Sequence, residues 1–279
     1  MSVTAVGAEV GAYLPLLLLS STAAGYLGLA LAERRRRGWP EARIVAFLLG
    51  AATIAWALAP GMDRWADADF SAHMAQHLLL AMVGPLGLVL GAPVTLLLRT
   101  LPHASARRLG RLLHAPAVRV LTRPVVALAL SSGGLVALYF TPVYDLSTRH
   151  PAVHVLVHAH LVLSGALFAW VVAGPDPAPR RASVRARLLV LGAAVAIHAS
   201  VAQLLYAGLL VRVHEPVVQM QAAGNLMYFG GDIAELLLAV ALLLSWRRAP
   251  ARPAYALPGP PPQPHASQRP GRSGAPGVS

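Results

Sequence analysis

The chain contains no cysteine and no lysine, and charged residues make up only 12% of its 279 residues. Without cysteine it can form neither a disulfide framework nor a thiolate metal site. Without lysine it cannot bind retinal as a Schiff base, a cofactor that a bundle of apolar helices would otherwise suggest. The scarcity of charge, with 56% hydrophobic residues and a mean hydropathy of +0.59, excludes an ordinary soluble domain and indicates a membrane protein.

Long apolar segments take the place of the missing charges. A helix needs about 20 apolar residues to cross the hydrocarbon core of a bilayer. We therefore expect an all-α, polytopic membrane helix bundle with seven transmembrane helices. The predicted spans are residues 11–32, 44–60, 72–98, 124–142, 152–173, 188–211 and 223–246. We assign residues 1–248 to this membrane domain, and residues 249–279, which are rich in Pro, Gly and Arg, to a disordered cytoplasmic tail.

The 23 basic residues are all arginines, and they are distributed unevenly between the two sides of the predicted bundle. Only Arg64, Arg149 and Arg212 lie on the side to which the second, fourth and sixth spans lead. The positive-inside rule therefore predicts that the N-terminus is outside the cell and the C-terminus is cytoplasmic. Arginine clusters beside spans are typical of topology determinants and of contacts with anionic membrane lipids. We therefore expect no nucleic-acid partner, despite the net charge of +12.

Histidines are concentrated toward the predicted outer side of the membrane. His73 and His77 lie one helical turn apart in the third span, on one face. The fifth span begins with a stripe of histidines at every fourth position: His150, His154 and His158. His160 lies about 160° around the helix from His158. Because ionisable side chains are costly inside a membrane, these positions are candidates for a functional site that opens outward.

The later spans add three ionisable residues: His198 in the sixth, and Asp232 and Glu235 on one face of the seventh. A lone histidine in a bundle is often a hydrogen-bonding residue between helices, which is one interpretation of His198. The two carboxylates either pair with the histidines structurally or accept their hydrogen bonds and fix their tautomers, as metal sites require. Imidazole binds copper, zinc, iron and nickel, and thioethers such as that of Met74 favour Cu(I).

Two segments resemble the CtaG family of cytochrome c oxidase assembly factors, known from caa-type oxidases. They are HMAQHLLLAMVGPLGLVLGAPVTLLLR at 73–99 and HAHLVLSGALFAWVVAGPDP at 158–177. RLLVLGAAVAIHA at 187–199 and AGNLMYFGGD at 223–232 are consistent with the later helices of that family. The resemblance, which extends over about residues 10–248, implies a multi-pass plasma-membrane protein that is needed to produce active oxidase. It further implies oxidase subunits as partners and a role in copper delivery.

From the residues and the resemblance together we hypothesise a copper site whose core ligands are His77, His158 and His160. The supporting residues would be His73, His154, His198, Asp232, Glu235 and Met74. Copper would be taken up from the outer side and passed to the oxidase. Two alternatives stay open: a haem-binding or redox protein with axial histidines on two helices, and a metal-free scaffold in which the histidines join helices. An enzyme is the least favoured, since the sequence has neither a nucleophile–base arrangement nor a phosphate-binding loop.

Overall fold

A computed structural model describes residues 3–247 of the chain, with side chains described from residue 13 to residue 246. All regular structure in this range is helical, and it contains no strand. The predicted all-α class is therefore confirmed. The predicted disordered tail, residues 249–279, lies outside the described residues.

Thirteen α-helices and one turn of π-helix follow one another along the described chain. The α-helices are α1 (Val3–Arg37), α2 (Glu41–Ala57), α3 (Pro60–Ala68), α4 (Phe70–Leu78), α5 (Gly84–Leu90), α6 (Pro93–Thr100), α7 (His103–Leu113), α8 (Pro116–Leu121), α9 (Pro124–Phe140), α10 (Val143–Arg149), α11 (Pro151–Ala173), α12 (Val184–Ala207) and α13 (Val217–Arg247). The π-helical turn, Leu79–Val83, joins α4 to α5.

Five helical segments are long and apolar enough to cross a membrane: α1, the run from α4 to α6, α11, α12 and α13. Two further apolar helices are shorter and bend sharply into the next one, α2 into α3 by 54° and α9 into α10 by 76°. A proline lies at each bend, Pro60 at the start of α3 and Pro142 before α10, because proline cannot continue the preceding helix. The described chain thus has five spans, or up to seven if each bent pair is one span. A multi-pass membrane protein is confirmed.

The span that carries His73 and His77 is interrupted twice. Pro85 has no N–H, so the carbonyl of Ala81 loses the partner that it would have in a regular helix. The backbone before Pro85 widens into the π-helical turn, and a second break follows at Ala92, whose φ of 53° is left-handed. The backbone bonding before Pro85 therefore departs from that of a regular α-helix.

Glycines allow neighbouring helices to contact this interrupted span closely. A Cβ added to Gly87 of α5 would lie 2.7 Å from the carbonyl oxygen of Ala46 in α2. A Cβ added to Gly165 of α11 would lie 2.8 Å from the carbonyl carbon of Ala81. Small residues permit such approach of helix backbones inside a membrane. As a result, the interrupted span packs between α2 and α11.

The loops at the two ends of the bundle differ in charge. At one end, five carboxylates line one groove, and they come from α3 and the residue that follows it, from α10, and from the segment between α12 and α13: Asp63, Asp67, Asp69, Asp145 and Glu215. We call this the acidic end. At the other end, α7 and α8 bury no side chain and carry four arginines: Arg107, Arg108, Arg111 and Arg119.

Candidate functional site

Four histidines from two helices meet near the acidic end of the bundle. The ring centroids of His73 and His77 in α4 are 4.1 Å apart, and those of His154 and His158 in α11 are also 4.1 Å apart. The two pairs approach each other at His77 and His158, whose centroids are 5.7 Å apart. We call these four residues the histidine quartet. The spacing of four residues within each helix places each pair on one face, and the packing of α11 against the π-helical turn that follows α4 brings the pairs together.

Burial leaves nitrogen atoms of the quartet without partners. His73, His77 and His158 expose only 4%, 5% and 7% of their surface, whereas His154 is half-buried. The Nε2 atoms of His73 and His158 have no hydrogen-bond partner among the described residues. A buried polar atom without a partner costs about 1–3 kcal/mol. Such a cost is typical of a functional site, where a ligand supplies the missing interaction.

Tyr139 of α9 joins the quartet to Met74. Its hydroxyl lies 3.1 Å from Nδ1 of His77 and 3.6 Å from the thioether sulfur of Met74. The hydroxyl has one proton, so the tautomer of His77 decides whether that proton is donated to Nδ1 or to the sulfur. The tautomer with the proton on Nδ1 leaves a lone pair on Nε2 of His77, where a metal can bind.

His160 and His198 lie apart from the quartet. His160 is exposed, and its Nε2 lies 3.1 Å from the carbonyl oxygen of Leu130 in α9. The Nε2 of His198 lies 3.0 Å from the carbonyl oxygen of Met227 in α13. His160 cannot share the face of His158, because the helix turns about 100° per residue. The structure therefore does not bring His160 together with His77 and His158, the two other hypothesised core ligands. His198 makes the contact between helices that is expected if it is a hydrogen-bonding residue and not a ligand.

A cavity of about 80 Å³ adjoins the quartet on the side of His77 and Met74, and it reaches His198 and Glu235. A water molecule needs about 10–15 Å³ of such space, so the cavity has room for a few waters or one small ligand. Four hydroxyl side chains line it: Ser131, Ser132, Tyr139 and Ser164. The cavity is therefore mostly apolar in its lining, with a few polar side chains directed at its space.

The two carboxylates of α13 differ from their expected role. Glu235 is buried, and its Oε2 has no hydrogen-bond partner within the described chain. Asp232 is exposed. In the described part of the chain neither residue accepts a hydrogen bond from a histidine; the partners of the rings are Tyr139 and backbone carbonyls. Glu235 faces the cavity instead, as a second polar group available to whatever occupies it.

A groove of about 590 Å³ at the acidic end leads to the quartet. His73 and His154 line it together with the five carboxylates of that end. We call this groove the acidic vestibule. Asp69 also begins α4, since its side chain accepts from the N–H of Ala72 over 3.0 Å. The hydroxyl of Ser71 and this N–H hold the pKa of Asp69 below its ordinary value.

Several residues around the quartet were not identified from the sequence. Gln76 is fully buried and donates to the carbonyl of Ala57 over 2.8 Å and to Asp63 over 2.6 Å. The ring of Tyr144 contacts His73 edge-on, with centroids 5.3 Å apart. A glutamine within an apolar run was a usable signal for Gln76. The vestibule carboxylates gave no such signal, because they come from three segments that are far apart in sequence.

Within residues 3–247, no group of three or more His, Asp or Glu side chains is arranged to hold a metal ion. The quartet instead presents pairs of imidazoles, with the Nδ1 of His77 held against the hydroxyl of Tyr139 and two Nε2 atoms, those of His73 and His158, without partners among the described residues. Such pairs suit a transiently bound ion better than a resident one, since resident structural sites have four ligands.

The chain has relatives among assembly factors and among uncharacterized mycobacterial proteins. The model of the family described as cytochrome c oxidase caa3 assembly factor matches residues 24–249. Uncharacterized proteins of Mycobacterium bovis and Mycobacterium tuberculosis are each 37% identical over 185 residues, and one of Mycobacterium leprae is 36% identical over 183 residues. Each match covers 63% of this chain but only 28% of the relative. No solved structure matches the chain.

Proposed function

The chain belongs to the family of cytochrome c oxidase caa3 assembly factors, and from this premise we propose that it binds copper at the histidine quartet and delivers it to a caa3-type oxidase. The observation that carries the proposal is the pair of buried, unpartnered Nε2 atoms on His73 and His158, which come from two helices of one cluster. An assembly role suggests a non-catalytic protein whose partners are oxidase subunits. Copper is here the cargo and not a resident cofactor.

The donor set suits Cu(I). Imidazole nitrogen and thioether sulfur are ligands that Cu(I) accepts readily, and Met74 is linked to His77 through the hydroxyl of Tyr139. Because the imidazoles are held as two pairs, an ion on one pair has a second pair within reach. An incomplete ligand sphere favours release to a partner, which a delivery protein requires.

The direction of delivery follows from the proposed orientation. The arginine-rich loops predict that α7 and α8 face the cytoplasm, which places the acidic end outside the plasma membrane. The quartet then receives copper from the outer side, at the level where the spans begin. A partner that accepts copper would meet the protein at this end.

The alternatives differ in how well the geometry supports them. A haem group needs far more space than the cavity of about 80 Å³ beside His77 and Met74, since pockets for larger ligands occupy about 300–1,000 Å³. A metal-free scaffold explains His160 and His198, which bond to carbonyl oxygens of neighbouring helices. It gives no reason for the unpartnered nitrogens of the quartet.

The decisive experiment is elemental analysis of copper in the full chain, purified in detergent and loaded with Cu(I) under reducing conditions. We expect near-stoichiometric copper in the parent and its loss in the His77→Ala/His158→Ala variant. His160→Gln is the matched control, because it alters a histidine of the same helix outside the quartet, and it should retain copper. A parent without copper, or a double variant that keeps it, would overturn the proposal and favour the scaffold.

A further inference from the structure

The acidic vestibule reverses the charge of the rest of the molecule. The chain has a net charge of +12 and only 11 acidic residues, yet five carboxylates line this one groove. Three arginines belong to the same end of the bundle, Arg64, Arg149 and Arg212, and all three are exposed. None of them is among the residues that line the vestibule. The groove is therefore a local negative region on a strongly basic protein.

The contacts of the vestibule carboxylates leave most of their charge uncompensated. Asp63 accepts from an amide, Glu215 from the hydroxyl of Tyr144 over 3.3 Å, and Asp69 from a hydroxyl and a backbone N–H. These donors are neutral. Asp145 lies 3.6 Å from a ring nitrogen of the exposed His214. Asp67 is exposed, and no residue of the described chain forms a hydrogen bond or ion pair with it.

The base of the vestibule holds an independent sign of a ligand. His73 is 96% buried, since it exposes 4% of its surface, and its side chain lines the groove. Its Nε2 has no partner within the described range. His154, half-buried, lines the groove beside it. An open acidic groove thus ends at the two histidines through which the quartet is reached.

From this juxtaposition we propose that the acidic vestibule captures a hydrated metal cation and steers it to His73 and His154. The inference rests on the proposed copper function and adds to it a capture step before the quartet. Carboxylates attract a hydrated cation through its charge, whereas imidazoles bind soft and borderline ions more tightly. The affinity for copper therefore increases from the mouth of the groove toward the quartet. The negative electrostatic field of the carboxylates also repels anionic metal complexes.

Association kinetics test the capture step. The probe is silver(I), a redox-stable ion with the charge and soft-ligand preference of Cu(I), mixed in nitrate buffer with the full chain in nanodiscs of zwitterionic lipid. Binding is followed by stopped-flow intrinsic fluorescence. We expect Asp67→Lys to slow association about 3–10-fold at low ionic strength, and the difference to fall below about 2-fold at 0.5 M salt, where charges are screened. Asp67→Asn should give a smaller slowing.

The matched control is Glu41→Lys, which makes the same change of charge at an exposed residue of α2, beside the arginine-rich end of α1. It should leave the association rate unchanged. Equal rates for the parent, Asp67→Lys and Glu41→Lys would overturn the capture step, and so would a slowing that salt does not remove. Loss of silver stoichiometry in Asp67→Lys would also overturn it, because Asp67 would then be a ligand.

The two proposals fail in different ways. If the parent binds neither silver nor copper, both fall together. If the parent binds silver and His77→Ala/His158→Ala abolishes binding, while Asp67→Lys associates at the parental rate, only the capture step falls.

Discussion

Among single residues, Tyr139 has the most direct influence on the quartet, because its hydroxyl contacts both His77 and Met74. Tyr139→Phe keeps the buried ring and removes both hydrogen bonds. We expect a loss of stability of about 1–2 kcal/mol and copper binding about 10–100-fold weaker, as for other residues that orient metal ligands. Thermal unfolding and competition with a Cu(I) chelator measure the two effects. Tyr206→Phe, at an exposed tyrosine, is the control. Unchanged affinity in Tyr139→Phe would show that the hydroxyl does not orient His77 for metal binding.

Gln76 is a second single residue with a predicted effect, in this case on the stability of the fold. Its amide nitrogen bridges the carbonyl of Ala57 and the carboxylate of Asp63, thereby joining α2, α3 and α4. Gln76→Leu has a similar volume and leaves both acceptors without this donor, so we expect a loss of about 1–3 kcal/mol. The measurement is thermal unfolding in detergent. Gln203→Leu, at an exposed position of α12, should change the unfolding temperature little. Equal losses of stability in the two variants would refute the bridging role of Gln76.

At the scale of helices, the sequence predicts the features that depend on helical periodicity, namely which residues share one face of a helix. The spacing of His73 and His77, and of His154 and His158, places each pair on one helix face, and the structure has both pairs in contact. The same periodicity separates His160 from His158, so the geometry agrees with the spacing and does not join His160 to the two other core ligands that were hypothesised from the residues and the resemblance together. The contact of α9 with the quartet could not be predicted, because it depends on packing between distant segments.

The contact between α11 and the interrupted span gives the prediction at this scale. Pro85 deprives the carbonyl of Ala81 of its helical partner, and Gly165 lies against that carbonyl. Gly165→Ala would force the helices apart, and we expect a loss of about 1–3 kcal/mol from overpacking together with weaker copper binding. Gly133→Ala is the control, since nothing lies within 4 Å of a Cβ added there. Thermal unfolding compares them, and a stable Gly165→Ala protein would show that the backbones can separate freely.

At the scale of the whole molecule, the sequence predicts a multi-pass bundle with unequal arginine content on its two sides. It does not predict the acidic vestibule, whose carboxylates come from three separate segments: residues 63–69, α10 and the segment before α13. Each of these segments is short and contains only one to three acidic residues. Only the fold brings their charges together. The vestibule and the arginine-rich loops lie at opposite ends, so a single orientation in the membrane decides which of them meets extracellular copper.

The orientation can be measured directly because the chain has no cysteine, so each introduced thiol is the only one present. Thr148 lines the vestibule and is exposed, whereas Ala104 is exposed on α7. The positive-inside rule predicts that Thr148→Cys reacts with a membrane-impermeant maleimide on intact cells, and that Ala104→Cys reacts only after lysis. The reverse pattern would place the vestibule in the cytoplasm. Copper would then be received from the cytoplasmic pool, and the extracellular capture step would be excluded even if the quartet binds the metal.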